Sequence, residues 1–314
     1  MLTLSANETS AALPVLAVVD AMESLFLHGR SAPDRHHHTL EMSDEENATL
    51  LLMPAWDAEI GCVKMVNVVP GNNARNLPAI SGSVLVFDRK TGEHKAILDG
   101  GSLTARRTAA ASALAARHLV RQDAKTLLIV GAGKVAAELA EAFIAVRPTI
   151  EEVLVWSPKL TSAQTLVKSL RSKSIAATAS NDLETATRAA DVISCATLAQ
   201  KPLIAGEWLK PGQHLDLIGA FTPDMREADD EALRRGKIFV DTDFALVEAG
   251  ELCIPIKSGV ISRGDIKGDL YDICGGKSGR TSPDEITIFK SVGNAVMDLA
   301  AATVALSNFA STEQ

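Results

Sequence analysis

Long apolar runs are missing from this sequence. The longest, such as LLLMPAW and LLIVGAG, fall far short of the roughly 20 residues that span a bilayer, and the N-terminal MLTLSANETS has no basic segment leading into an apolar one. A cytoplasmic location is expected, with no membrane association. Basic charge is also short: 31 Lys and Arg stand against 39 Asp and Glu, a formal net charge of −8, and the cations are scattered rather than blocked. That excludes the electrostatic footprint of a nucleic-acid or anionic-membrane binder. Cysteine is sparse, and Cys62, Cys195, Cys253 and Cys274 share no CxxC spacing, which points to free thiols rather than a disulfide framework or a zinc site. Internal repeats and low-complexity tracts are lacking.

What is there is a chain of 314 residues, 46% hydrophobic, long enough for two lobes and a sizeable core. PVLAVVDAMESLFLHG has helical spacing; TLLLMPAW, EIGCVKMVNVVP and SGSVLVFDRKTGEHKAIL read as strands, with a hairpin turn at Lys90-Thr91-Gly92. This predicts an α+β lobe over residues 1–120. LTARRTAAASALAARHL is a strong helix former, and beyond it the pattern alternates strand and helix. TLLIV, EVLVW, IAATAS, DVISCA, HLDLIG and KIFVDT are the strand candidates, and such alternation predicts a parallel, doubly wound α/β sheet over 121–291. Residues 251–283 show no clear period. EITIFKS and VGNAVMDLAAATVALSNFA close the chain as a strand and a long helix, and the helix, 292–314, is expected to return to the first lobe.

TLLIVGAGKVAAELAEAF places Gly131, Gly133 and Ala136 in GxGxxA spacing, directly after an apolar strand and opening a helix. Gly131 permits the tight turn, Gly133 removes the side chain that would block a pyrophosphate, and Ala136 lets helix and strand approach. The context implies a dinucleotide site. At the end of the next strand, VLVWSPKL holds no acid for a ribose 2′-hydroxyl; Ser157 and Lys159 suit a 2′-phosphate instead, which favours NADPH and leaves NADH open.

Three cations stand in apolar or structured settings: Arg35, Lys64 inside GCVKMVNV, and Arg107 early in the Ala-rich helix. Together they could hold a carboxylate, since a guanidinium grips it through paired hydrogen bonds and a lysine adds a point charge and a proton. Taken singly, each also reads as a surface or salt-bridged residue. His36 and His38 would share a face of an extended segment, but no acid-rich partner is evident and no metal is expected.

Lys64 within VKMVNVVPGN, LTARRTAAASALAARHL, LLIVGAGKVA, DVISCAT, GQHLDLIGAFTPDMREADD and FKSVGNAVMDLA occur in the order found in the ornithine cyclodeaminase/μ-crystallin family. The chain resembles that family over nearly its whole length, and within it the bacterial Δ1-pyrroline-2-carboxylate reductases most. The resemblance implies a Rossmann-type cofactor domain, a substrate and dimerisation lobe, a homodimer, and reduction of a cyclic imino acid with NAD(P)H. It implies Arg35, Lys64 and Arg107 around the substrate carboxylate, with Lys64 the proton donor and Arg107 also beside the cofactor. Gly131, Gly133, Lys134 and Val135 match the phosphate loop, Thr197 a loop near the cofactor, and Ser291 with Val292 the nicotinamide side. Read without the resemblance, Thr197 is a strand-end polar residue and Ser291 a helix N-cap. Where cyclodeaminases and alanine dehydrogenases of the family carry an aspartate, two residues before the proline, this chain has Phe221. A phenyl ring accepts no proton and anchors no ammonium, so reduction of a preformed cyclic ketimine is expected over ornithine cyclodeamination or a non-catalytic NAD(P)H-binding role. The acids Asp224, Glu227, Asp229 and Asp230 are expected to serve a helix start.

Overall fold

The computed structural model describes residues 1–28 and 32–310. The chain divides into two compact units, Met1–Arg107 with Asn294–Gln314, and Thr108–Gly293. The first division falls inside a helix, ahead of the break expected near 120. The Ala-rich helix is continuous there, so the change of hydrophobic period appears only at its end.

In the first unit, β1 (Leu2–Thr3), α1 (Ala6–Ala11) and α2 (Val15–His28) lead into β2 (His36–Leu40), β3 (Ala48–Trp56), β4 (Ile60–Val68), β5 (Ile80–Asp88) and β6 (His94–Asp99), followed by α3 (Gly100–Leu119). The sheet order is β1-β6-β5-β4-β3-β2, antiparallel except where β1 lies beside β6. The β5–β6 turn follows from its sequence: Asp88 accepts hydrogen bonds from the Lys90 and Thr91 amides, and Gly92 takes the positive φ that closes the hairpin. Val15, Val18, Val19, Met22 and Phe26 form the buried stripe of α2.

The second unit runs β7 (Thr126–Val130), α4 (Ala136–Val146), β8 (Glu152–Trp156), α5 (Leu160–Ser172), β9 (Ala177–Ser180), α6 (Leu183–Ala189), β10 (Val192–Cys195), β11 (His214–Leu217), α7 (Asp230–Arg235), β12 (Gly236–Val240), α8 (Ala245–Glu248), α9 (Gly250–Ser258), α10 (Leu270–Cys274) and β13 (Ile286–Lys290). Every strand pair is parallel, in the order β12-β13-β11-β10-β7-β8-β9. This is the doubly wound α/β order, with the topological switch between β7 and β10. Burial on both faces explains the near-continuous apolar strands: β10, β11 and β13 are buried throughout. The stretch without a clear period contains α9, with Pro255 inside it, and the short α10. Short helices of that kind carry too few turns to declare a period.

The last described element is α11 (Ala295–Ala310), which belongs to the first unit and packs on α2 and on β3, β4 and β5. Its start is capped by Asn294, whose side-chain oxygen accepts from the Met297 amide at 3.2 Å. Ser291, for which a cap is the alternative reading to a place beside the cofactor, lies too early for it and donates to Asp241 instead. All four cysteines are free. Among the described residues, no helix is long and apolar enough to cross a membrane.

Candidate active site

The first unit buries a charged cluster against its sheet. Lys64 projects from β4, Arg107 from α3 and Asp298 from α11, and the three are only 2%, 5% and 0% exposed. Lys64 Nζ lies 2.9 and 2.8 Å from the two oxygens of Asp298. Arg107 Nε is 2.9 Å from Asp298 Oδ1 but is not aligned to donate to it, so their attraction is chiefly coulombic. Arg35, half-buried just ahead of β2, acts on both Lys64 and Asp298 through its charge. Two buried cations therefore share one carboxylate, and the surplus is positive.

Burial lowers the Lys64 pKa to about 8, helped by Arg107 and opposed by Asp298. For Asp298, burial works to raise the pKa, but Lys64 and Arg107 outweigh it and hold the carboxyl below its ordinary value. Cys62, on the same face of β4 as Lys64, is pushed up by burial and by Asp298 and is no nucleophile. His36 and His38 lie exposed on β2 with ring centroids 6.5 Å apart.

In the second unit, the glycine-rich loop joins β7 to α4 at the switch point. Gly131 has φ of 117°, and a Cβ there would come within 2.5 Å of the Ala196 carbonyl oxygen. Only glycine meets both demands. Gly133 differs: a Cβ there would touch nothing within 4 Å. No packing inside the protein requires that glycine, so the space beside it is available to a ligand, as a pyrophosphate-binding loop demands. Lys134 is exposed, Val135 half-buried and Ala136 buried. The Gly131 amide donates to the Trp156 carbonyl at 2.8 Å, tying the loop to the end of β8, where half-buried Ser157 and exposed Lys159 follow. These residues fit a nicotinamide dinucleotide.

Thr197 follows β10 and is held by Glu227. One Glu227 oxygen accepts from the Thr197 amide at 2.7 Å and the Thr197 hydroxyl at 2.8 Å, and the other accepts from the Gly219 amide at 2.6 Å. Glu227 is fully buried, which corrects its expected role: it organises two loops rather than a helix start. Its neighbours follow expectation, since Asp229 caps α7 by accepting from the Ala232 amide and Asp230 lies in the first turn. Asp224 is exposed and accepts from the Thr222 hydroxyl, ahead of the helix rather than in it. Phe221, in the same loop, is 44% exposed.

A second carboxylate serves the other loop. Asp241 Oδ2 accepts from the Ser291 hydroxyl and from the Val292 and Gly293 amides at 2.9, 2.9 and 2.6 Å. At the end of β13, buried Lys290 donates to the Leu217 carbonyl at 2.9 Å. Burial lowers its pKa while Glu227, Glu251, Asp241 and Asp216 oppose the shift.

Comparison with known proteins gives this arrangement a place. The profile of the ornithine cyclodeaminase/mu-crystallin family matches residues 2–313. The chain belongs to that family. It is 43% identical over 290 residues to the Delta(1)-pyrroline-2-carboxylate reductase of Paracoccus denitrificans, covering 89% of each chain. Among solved structures, Thermococcus litoralis Delta(1)-pyrroline-2-carboxylate reductase in complex with NADH and L-proline superimposes with a TM-score of 0.92 at 33% identity, over 100% of this chain and 98% of that one. An archaeal alanine dehydrogenase dimer with bound NAD gives a TM-score of 0.90 at 30% identity, over 100% and 97%. One family fold thus carries more than one chemistry, and the residues of the site must separate them.

Three residues of this family member that matter to the geometry escaped the sequence reading: Asp298, Lys290 and, in its true role, Glu227. For the first two a signal exists. Each is a single charge in an apolar segment, AVMDLAAATVAL and ITIFK, and an unpaired charge is too costly to bury.

Proposed function

We propose that this chain reduces cyclic ketimine carboxylates with NADPH, converting Δ1-pyrroline-2-carboxylate to L-proline and accepting the six-membered Δ1-piperideine-2-carboxylate to give L-pipecolate. The observation that carries the reading is the buried pair of cations Lys64 and Arg107, which share the single carboxylate of Asp298 and so leave a positive surplus, with Arg35 adding its charge from nearby. A carboxylate ligand balances that surplus, and the lysine beside it can supply a proton near neutral pH.

The reaction adds a hydride to C2 and leaves one proton on the ring nitrogen. A bound nicotinamide supplies the hydride. Arg35 and Arg107 bind the substrate carboxylate and fix the orientation of the ring. Lys64 holds a proton at Nζ and keeps the imine nitrogen protonated, which makes C2 electrophilic. Phe221 and Val292 pack on the ring methylenes and exclude water, and Phe221 offers no acceptor to an amino-acid ammonium. Gly131, Gly133, Lys134 and Val135 cradle the pyrophosphate, and Thr197, Ser291 and Arg107 serve the nicotinamide side. Ser157 and Lys159 take the 2′-phosphate; since the similar structures hold NADH and NAD, the NADPH preference rests on these two residues. One methylene is worth only about 1–3 kcal/mol of discrimination, so both ring sizes fit one site. The enzyme is proposed to be cytoplasmic and homodimeric, with residues 1–120 and the last helix as the substrate lobe.

The test is oxidation of NADPH and of NADH by purified protein with each imine. Turnover with both imines and a preference for NADPH are expected, and no oxidation with either imine overturns the reading. Ammonia released from L-ornithine would assign cyclodeamination instead. Phe221→Asp is expected to weaken imine reduction, and unchanged turnover removes Phe221 from the site.

A further inference from the structure

Asp298 is a costly residue to place where it is. It stands in α11 among Val296, Met297, Leu299, Ala300, Ala301 and Ala302, all essentially buried, and is itself wholly removed from solvent. Isolated burial of a carboxylate is prohibitive, so its partners decide whether it stays charged. It has two, from separate elements: Lys64 Nζ reaches both of its oxygens, at 2.9 and 2.8 Å, and Arg107 Nε lies 2.9 Å from one of them. For stability alone the arrangement is a poor choice, because well-packed apolar residues commonly replace a buried ion pair without loss. Apart from Asp298, the charges that act most strongly on Lys64 are like charges, from Arg107 on α3 and Arg35 ahead of β2, and the Cys62 thiol is its neighbour on β4.

We infer that Asp298 is the positioning residue for Lys64: its hydrogen bond through Oδ1 and the charge of its carboxylate fix the Lys64 ammonium in place and keep it charged beside two other cations, ready to act as the proton donor. The inference rests on the reading of Lys64 as that donor. Asp298 acts through Lys64, and the lysine remains the group that meets substrate. Two consequences follow from the shared carboxylate. A substrate carboxylate that engages Arg107 removes positive potential from Lys64, so substrate binding strengthens the hold of Lys64 on its proton. The free enzyme should accordingly lose activity at lower pH than the substrate complex, as kcat/KM and kcat respectively report.

The test compares the wild type with Asp298→Asn and Asp298→Glu. The titration of Lys64 is followed by NMR of side-chain-labelled lysine, with its signal assigned by its loss in Lys64→Arg, and the pH profiles of imine reduction are recorded in parallel. In D298N the Lys64 midpoint is expected to fall by about 1–3 pH units, the usual effect of one nearby opposite charge. The alkaline limb of kcat should move with it, and D298E should restore much of both. A folded D298N with the wild-type midpoint overturns the inference. Should D298N fail to fold, the wild type decides: a Lys64 midpoint above about pH 7 supports the inference, and one below it overturns it, because Lys64 would then be largely uncharged at neutral pH. The underlying functional reading fails separately. A shifted midpoint in a protein that turns over neither imine keeps Asp298 as the partner that charges Lys64 and removes the proposed reaction, whereas turnover with an unshifted midpoint does the reverse.

Discussion

Each unit of this protein buries a group of charges, and the two groups are of opposite kind. In the first unit, buried Lys64 and Arg107 share the one carboxylate of Asp298. In the second, Lys290 is outnumbered by Asp216, Glu227, Glu251 and Asp241. The acids of the second group are nonetheless satisfied internally. Glu227 holds the Thr197 and Gly219 backbone, Glu251 accepts from the Glu227 and Ala228 amides at 2.7 and 2.9 Å, and Asp241 gathers the 291–293 loop. The comparison separates two uses of buried charge. Acids whose oxygens are filled by backbone N–H groups are scaffolding for loops, whereas cations left in surplus over their partner await an anion from outside.

The strongest way to break this distinction is to remove the lysine. Lys64→Met is expected to lower kcat for imine reduction by about 10²–10⁴-fold, the usual contribution of a positioned proton donor. It also strips Asp298 of its hydrogen-bonded partner, and stability should fall by up to roughly 3–5 kcal/mol, the cost of removing one partner from a buried pair. Adding Asp298→Leu should recover stability in denaturant unfolding while activity stays lost. If the double variant regained activity, the cluster would be mere packing.

A smaller effect is expected on the scaffolding side. In Glu227→Gln, one acceptor oxygen becomes an N–H₂ group facing the Thr197 or the Gly219 amide, and a buried donor left unpaired costs about 1–3 kcal/mol. Part of that loss should appear as a rise of about tenfold in the dissociation constant for NADPH, equivalent to 1.4 kcal/mol, because Thr197 is no longer fixed. Lys64-dependent pH behaviour should not change. Unaltered cofactor affinity, measured by fluorescence titration, would separate Glu227 from the cofactor loops.

How much of this was legible in the sequence follows the range over which each feature is specified. The glycine loop is local: Gly131, Gly133 and Ala136 fall within six residues, and the turn they make is required by their own backbone. The alternating strands of the second unit are equally local, as is the turn at Gly92. Lys64 and Arg107 stand out because each interrupts an apolar or Ala-rich run. Their partner does not announce itself, since Lys64 and Asp298 are 234 positions apart and only the return of α11 to the first unit brings them together. Glu227 was misread for a related reason. Its sequence neighbours Asp229 and Asp230 do begin a helix, and nothing in READD distinguishes the acid that turns inward to Thr197, 30 residues back.

The smallest effect sharpens the comparison inside the second unit. Asp216 is buried in β11 and accepts from the Ser112 hydroxyl at 2.9 Å and from the Ser194 hydroxyl. Burial raises its pKa from the ordinary 3.8 to about 7, with both serines and Lys290 opposing. Because the folded value lies above the unfolded one, the folded chain keeps a proton that the unfolded chain releases across that interval. The stability associated with this proton is fully present below about pH 4 and is lost as the pH rises toward 7. Asp216→Asn has the same shape and no such titration, and either serine can turn its hydroxyl to accept from the new amide. Denaturant midpoints measured side by side should therefore coincide near pH 4 and diverge in favour of the variant toward pH 7, with the other buried groups cancelling in the difference. Parallel curves would mean that Asp216 is ionised throughout, its charge balanced by Lys290, and the acids of this unit would then be paired ions like Lys64 and Asp298 rather than a separate kind.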